Sequence, residues 1–387
     1  MYESIIAAGS ILHYLGQNKH QKLQHISSLK RIDENTHVWL DQFTIRNLEL
    51  VNPANENGVS LFDIIDCSST PMGSRMLKQW ILFPLKNVED INERLNIVDF
   101  FHHNRDMLHD SISYLKEIGD MERMLAKIST LRISPRELNR FKNSLIISGK
   151  LQNLLAKNKD VHVIKNLFSS YHDCTVILSI LDSQLDDDAP VALSKGNTIK
   201  NGVNKDLDSY RELEISSEKI LDKIKNREIE NTGISSLKIS YNNIFGYYLE
   251  VRNTHKDKVP ENWIRKQTLV SAERYITQEL KDLEVKIISA KENIHKLESE
   301  IYFQLVSSIV KYITPVQYNA HILAKIDCLV SFSLVSSQNK YCKPTINESF
   351  KIDIVGGRHP VIESQLKNSH DYVPNDLYLD TTMQKEH

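Results

Sequence analysis

The side chains best suited to chemistry in this sequence lie between residues 252 and 271. Five cations occur here, Arg252, Lys256, Lys258, Arg265 and Lys266, against the two acids Asp257 and Glu261. Short hydrogen-bonding side chains lie among them: Asn253, Thr254, His255, Gln267, Thr268 and Ser271. Point charges combined with short donors can bind phosphate groups without reading bases. The signal is modest by itself, because a local charge run is usually a solvated surface.

The overall charge confines any nucleic-acid contact to a local patch. The chain has 48 basic and 50 acidic side chains and a net charge of −2, so it is not a polycation. It contains no Gly-x-x-x-x-Gly-Lys-Ser/Thr loop for nucleotide phosphates, since Gly149-Lys150 lacks the upstream glycine and is followed by Leu151. We therefore expect no nucleotide hydrolysis by this chain.

Metal and disulfide sites are also disfavoured. Two clusters could suggest a metal site: Asp186–Asp188, and the histidines His102, His103 and His109. The side chains of adjacent residues point in different directions and rarely reach one ion, so a solvated polar surface is the better interpretation. The cysteines, Cys67, Cys174, Cys328 and Cys342, fit no zinc spacing and no disulfide framework. We expect buried, reduced thiols in a cytoplasmic protein. The N-terminus has no basic region typical of a signal peptide, and no 18-residue apolar run predicts a membrane helix.

Long helices must position the basic segment. Glycine and proline account for only 22 of 387 residues, which favours uninterrupted helices. A 3.5-residue seam runs through Ile276, Leu280, Leu283, Ile287, Ala290, Ile294, Leu297 and Ile301, and predicts a helix over about 277–312 that needs a partner. Residues 203–231, ending at Thr232-Gly233, supply that partner helix.

A small β region separates these two helices. Apolar residues alternate on either side of Asn242-Asn243, which predicts a hairpin with a two-residue turn. Helix-capping signals at Thr70-Pro71, Asn87 and Ser134-Pro135 predict a helical bundle over about 60–185. From about 340 the pattern becomes strand, turn, strand. The predicted fold class is mainly α: a helical core, two long antiparallel helices carrying a small β-rich knob, and a short β-rich C-terminal segment.

Several motifs in this order resemble the MutS family of DNA mismatch-repair proteins. They include Thr70–Leu77, Asp120–Arg123, Phe245–Val251, Arg265–Leu269 followed by Ala272–Tyr275, Gly357–Val361 and Val373–Asn375. The resemblance implies a core or lever domain over 1–230 and 291–338. It further implies a DNA clamp domain over 231–290 and the truncated start of an ATPase domain over 339–387.

The resemblance also implies a function. The clamp would contact the DNA backbone non-specifically through the residues of the basic segment, among which Gln267 and Thr268 match the family motif best, while 253–258 departs from it in sequence. Tyr372 would stack on the adenine of ATP. ATP and Mg²⁺ would act in a full-length, homodimeric ATPase with a MutL-like partner and no membrane contact. No mismatch-reading domain fits before residue 50, and the chain ends before the phosphate loop, so we expect a middle fragment that neither reads mismatches nor hydrolyses ATP.

Other identities remain open at this point. A coiled-coil interaction module without DNA contact would need longer heptad arrays and no basic tip. A nuclease-bearing relative of the same superfamily would be expected to lack so complete a clamp. The sequence thus favours a helical DNA-clamp module over both.

Overall fold

A computed structural model describes residues 2–18, 36–156, 162–242, 244–366 and 372–380. Its helices are α1 (Tyr2–Gln17), α2 (Gln42–Asn47), α3 (Leu61–Ile65), α4 (Pro71–Leu82), α5 (Val88–His103), α6 (Arg105–Glu117), α7 (Met121–Ser129), α8 (Pro135–Ala156), α9 (His162–Leu167), α10 (Thr175–Gln184), α11 (Lys205–Thr232), α12 (Gln278–Ile309), α13 (Ile313–Asn339) and α14 (Pro360–Gln365). Its strands are β1 (Lys238–Asn242), β2 (Gly246–Arg252), β3 (Ile264–Thr268), β4 (Ala272–Ile276), β5 (Ile352–Gly357) and β6 (Asn375–Leu379). Within these ranges, 3₁₀ turns span Leu193–Lys195, Asn253–Lys258 and Val310–Tyr312. The predicted mainly α fold class is confirmed.

The chain divides into two compact units. The first comprises Met1–Ile133, Glu137–Ser179 and Ser308–His387, and the second comprises Ser134–Arg136 and Ile180–Ser307. The predicted boundaries of a core, a clamp and an ATPase segment concern a finer division, and they stay a prediction.

Helix α13 is the centre of the first unit, where it packs against α4, α5, α6 and α7. Its buried Asp327 accepts hydrogen bonds from the backbone N–H groups of Ser69 (2.8 Å) and Thr70 (2.7 Å) and from the Thr70 hydroxyl (2.7 Å). Thr70 itself caps α4, and Pro71 is the first helical residue, as predicted. The carboxylate therefore ties the start of α4 to the core helix.

The two long helices of the second unit run antiparallel. Their ion pairs join Arg211 to Glu298, Glu214 to Lys291, and Arg227 to Glu279. The residue numbers of the partners on α12 fall as those on α11 rise, which shows the antiparallel direction. Helix α12 has 32 residues, or about 48 Å at 1.5 Å per residue. The predicted partner helix ends as expected: Gly233 has a left-handed backbone with a φ of 63° and caps α11.

The predicted apolar seam of α12 is confirmed only in its first part. Leu280, Leu283, Ile287, Ala290 and Ile294 are buried. Beyond Ile294 the buried positions are instead Glu298, Tyr302, Leu305, Val306 and Ile309, while Leu297 and Ile301 are half-buried. A helix with 3.6 residues per turn drifts away from a 3.5-residue seam by about 20° per heptad. The drift places a carboxylate where leucine was predicted.

The β-rich knob is a four-stranded antiparallel sheet in the order β1-β2-β4-β3. One apolar cluster joins this sheet to α12. It contains Leu249, Val251 and Tyr275 from the sheet, Leu280 and Leu283 from α12, and Trp263. The predicted two-residue turn is wrong, because Asn242 pairs with Gly246 and three residues lie between them; Asn243 falls outside the described residues. Gly246 has a φ of 77°, and a Cβ there would lie 1.9 Å from the Glu284 carboxylate.

The predicted C-terminal strands form a separate two-stranded antiparallel sheet, in which β5 pairs with β6. Many of its apolar side chains are exposed, among them Val355 and Leu377. Of the predicted segment, residues 367–371 and 381–387 lie outside the described chain.

The cysteines and the most apolar helical stretch differ in part from what the sequence predicts. All four cysteines are free, but only Cys174 and Cys328 are buried, so the prediction of buried thiols is wrong for the exposed Cys67 and Cys342. The helical stretch 278–339 contains an 18-residue window with a mean hydropathy of 1.3, of which 67% is buried inside the protein. Length and composition alone would let this stretch cross a membrane, but burial on that scale is typical of a core helix.

Candidate nucleic-acid interface

The strand order brings most of the predicted binding residues to one end of the four-stranded sheet. Strand β2 ends at Arg252, which pairs with Ala272 at the start of β4. The 3₁₀ turn Asn253–Lys258 continues from β2, and loop 269–271 joins β3 to β4 at the same end. We call residues 252–258 and 266–271 the tip. The antiparallel pairing, rather than closeness in sequence, brings these two segments together.

Backbone and side-chain hydrogen bonds pin the two halves of the tip to each other. The Asn253 N–H donates to the Ser271 carbonyl (3.1 Å), and the Asn253 side-chain amide donates to the Val270 carbonyl (2.9 Å). The Leu269 N–H donates to the Ala272 carbonyl (2.8 Å). Asn253, predicted as a DNA-contacting residue, thus uses its amide nitrogen to hold the loop.

Four of the five predicted cations carry no ion pair to any residue in the described part of the chain: Arg252, Lys256, Lys258 and Lys266. All four are exposed. The fifth, Arg265, lies 3.2 Å from the carboxylate of Glu273 on the neighbouring strand. A hydrogen bond from the Tyr275 hydroxyl, followed by the charge of Arg265, lowers the pKa of Glu273 from its ordinary value. Glu273 is therefore ionised near neutral pH and neutralises Arg265 locally.

Lys266 occupies a special place on the outer strand. Strand β3 forms one edge of the sheet, and the register shifts between Arg265 and Gln267, so Lys266 is the additional residue of a bulge. Bulges and lysines on edge strands also protect an edge from pairing with another chain. That protective role is compatible with phosphate binding, because both need an exposed and unpaired ammonium group.

Sequence reasoning missed the residue that organises the face beside the tip. Arg274 donates to Gln267 (2.9 Å) and Glu250 (3.1 Å), and its guanidinium lies 4.5 Å from the centre of the Tyr248 ring. Gln267 is half-buried and uses its amide oxygen in this network. The available signal was an arginine in the middle of an otherwise buried strand, where a charge needs partners.

The remaining predicted residues are distributed as follows. At the tip, Thr254, Thr268 and Ser271 are exposed and His255 is half-buried. Tyr372 belongs to the first unit, where it is half-buried and precedes β6. In the ranges that the structure describes, no group of three or more His, Cys, Asp or Glu side chains is arranged to hold a metal ion.

Comparisons with known proteins agree with the motifs. The family model for MutS domain III matches residues 43–333. Curated proteins named DNA mismatch repair protein MutS are similar along almost the whole chain: 49% identical over 99% of it in Flavobacterium johnsoniae, and 47% over 100% of it in Cytophaga hutchinsonii. The chain spans 44% and 45% of the length of these relatives. With a family match over most of its length, the chain belongs to the MutS family.

Proposed function

We propose that the tip binds the sugar–phosphate backbone of duplex DNA without reading its sequence, as part of a longer mismatch-repair protein. The observation that carries this proposal is a set of four exposed cations in the second unit that have no ion pair within the described ranges, in a chain whose net charge is −2. Their neighbours Thr254, Thr268 and Ser271 offer short hydroxyl donors to phosphate oxygens. The name of these relatives, DNA mismatch repair protein MutS, supports the same role.

The rest of the second unit supports a mechanical part in that function. A pair of long helices can hold the tip, whose two segments are hydrogen-bonded to each other, at a fixed distance from the opposite end of the helices. Paired long helices are a suitable rigid element for coupling distant sites. In the full-length protein we infer that α11 and α12 link the tip to an ATPase head.

The nucleotide and partner proposals rest on family membership. Tyr372 offers an aromatic face for the adenine of ATP, and Mg²⁺ would accompany the nucleotide in the full-length protein. Gly149 and Lys150 lie inside helix α8, so this Gly-Lys pair is not a phosphate loop and the chain itself is proposed to be no enzyme. Homodimerisation, a MutL-like partner and a cytoplasmic location are proposed for the full-length protein.

Salt dependence of DNA binding tests the proposal. Neutralising about four phosphates gives a slope of log K on log[salt] near −3.6, because each contact contributes about −0.9. Fluorescence anisotropy with a labelled homoduplex, from about 50 to about 200 mM salt, should show this slope. Lys266→Ala should weaken every duplex alike and make the slope about 0.9 less negative.

A matched control separates the tip from general charge. Lys219 is exposed on α11 in the same unit, and Lys219→Ala removes the same charge away from the tip. Its slope should equal that of the unmodified chain. Equal affinity at low and high salt, or a clear sequence preference, would overturn the backbone-binding proposal. No duplex binding at low salt would favour the helix-pair interaction module instead.

A further inference from the structure

Val270 is the most exposed apolar residue of the tip. Its exposure is 101% of that of a free residue, and it lies in the middle of the loop between β3 and β4. Single exposed apolar residues are common on protein surfaces and need no explanation by themselves. Val270 differs from such residues in two respects. Hydrogen bonds hold its loop in place, and its end of the sheet also has cations with no ion pair to any residue that the structure describes.

The rigidity comes from hydrogen bonds on both sides of the residue. The Val270 carbonyl accepts from the Asn253 side chain (2.9 Å), and the Ser271 carbonyl accepts from the Asn253 N–H (3.1 Å). The preceding Leu269 N–H is bonded to the Ala272 carbonyl (2.8 Å). A β-branched side chain on such a backbone has few rotamers to lose on contact. Ordering Val270 in a complex would therefore cost little entropy.

The charges around Val270 indicate which kind of partner it would contact. Arg252, Lys256 and Lys258 lie on the adjoining segment of the tip and carry no ion pair in the described chain. An anionic partner would be drawn to them. Among anionic polymers, duplex DNA presents apolar deoxyribose carbons between successive phosphates. The two methyl groups of Val270, with cations beside them, therefore match one repeat of the DNA backbone.

We propose that Val270 packs on the deoxyribose face between phosphates bound by the tip cations. The inference rests on the proposed function and deepens it by assigning an apolar contact within the same site. Cationic contacts gain affinity through counterion release and weaken with salt. An apolar contact releases no counterions, so Val270 would supply the part of the affinity that remains at high salt.

A conservative series at position 270 tests this inference. Val270→Thr keeps the branched shape and replaces one methyl group with a hydroxyl group. We expect about three- to tenfold weaker duplex binding, in line with partial loss of a buried apolar side chain, by the same factor at every salt concentration and with no change in slope. Val270→Ile should bind at least as tightly as the unmodified chain, and a thermal melt of each variant shows that it is folded.

Ile244 provides the matched control. It is 80% exposed in the turn between β1 and β2, at the end of the same sheet opposite the tip, and its N–H is also bonded, to the Asn242 side chain (2.7 Å). Ile244→Thr should leave duplex affinity unchanged. An unchanged affinity for Val270→Thr, or an equal loss for Ile244→Thr, overturns the inference even when the wild-type slope is near −3.6 as expected for about four phosphates. An unmodified chain that fails to bind duplex at low salt overturns the proposed function as well.

Discussion

The guanidinium group of Arg211 on α11 donates to the carboxylate of Glu298 on α12, and this pair is removed from solvent. The Glu298 side chain is 0% exposed and the Arg211 side chain 13%. Arg211 also donates to the Ile199 carbonyl (2.8 Å) and to Asn201 (2.7 Å), and the Thr198 N–H donates to Glu298 (3.3 Å). The pair therefore fixes the register of the two long helices and ties the loop before α11 to both.

Breaking this pair should be costly, because the surviving guanidinium would stay buried with only the more distant Asp208 carboxylate (3.8 Å) as an ionic partner. We expect Glu298→Ala to lower the free energy of unfolding by about 3–5 kcal/mol, measured by urea denaturation. Glu279→Ala is the control, since the Arg227–Glu279 pair joins the same helices but is about half exposed. It should cost only about 0.2–1 kcal/mol. Equal losses from the two variants would contradict a special role for the buried pair.

The same region shows how far the sequence predicts the fold. The long helices and the first part of the seam follow from apolar spacing, and Gly233 ends α11 as predicted. The change from Leu297 to Glu298 as the buried position does not follow from spacing. A charged residue is tolerated there only because Arg211, 87 residues away in sequence, reaches it. Such a long-range partner has no local signal.

The candidate site, too, could be predicted only in part, because some of its contacts join residues that are distant in sequence. Local charge correctly indicated an exposed basic segment, but it could not distinguish paired from unpaired cations. Arg265 lies opposite Tyr275 on the neighbouring antiparallel strand, and it pairs with Glu273, two residues before Tyr275 on that strand. The position of Val270 likewise depends on Asn253, which comes from the 3₁₀ turn that follows β2. Strand register, and not composition, decides which side chains remain free for a ligand.

Two helical glycines should respond in opposite directions to the same substitution. A Cβ at Gly73 on α4 would lie 2.3 Å from the Asp327 carboxylate, which is itself held by three hydrogen bonds. We expect Gly73→Ala to destabilise the protein by about 1–3 kcal/mol through overpacking. No atom lies within 4 Å of a Cβ at Gly149 on α8, so Gly149→Ala should stabilise by about 0.5–1 kcal/mol. Thermal denaturation measures both, and a shared sign would contradict the packing argument.

The buried carboxylate of Asp327 should give the stability a recognisable pH dependence. Burial raises its pKa above the ordinary value of 3.8, although hydrogen bonds from Ser69 and Thr70 oppose the shift. The folded state then keeps a proton that the unfolded state has already released, so this contribution to stability falls as the pH rises from 3.8 through the raised pKa. In urea titrations, the advantage of the unmodified chain over Asp327→Asn should shrink over that range. An advantage that grows with pH would contradict the raised pKa.

The pairing of Arg265 with Glu273 should limit how many phosphates this surface can bind. Glu273→Gln removes the negative charge but keeps an oxygen that can accept from the Tyr275 hydroxyl, so Arg265 becomes free to bind a phosphate. We expect tighter duplex binding, with a slope of log K on log[salt] about 0.9 more negative. Glu250→Gln is the control: it removes the same charge from the same sheet, but its partner Arg274 stays engaged with Gln267 and Tyr248. A slope that stays the same in Glu273→Gln, or changes equally in both variants, would show that Arg265 does not reach phosphate.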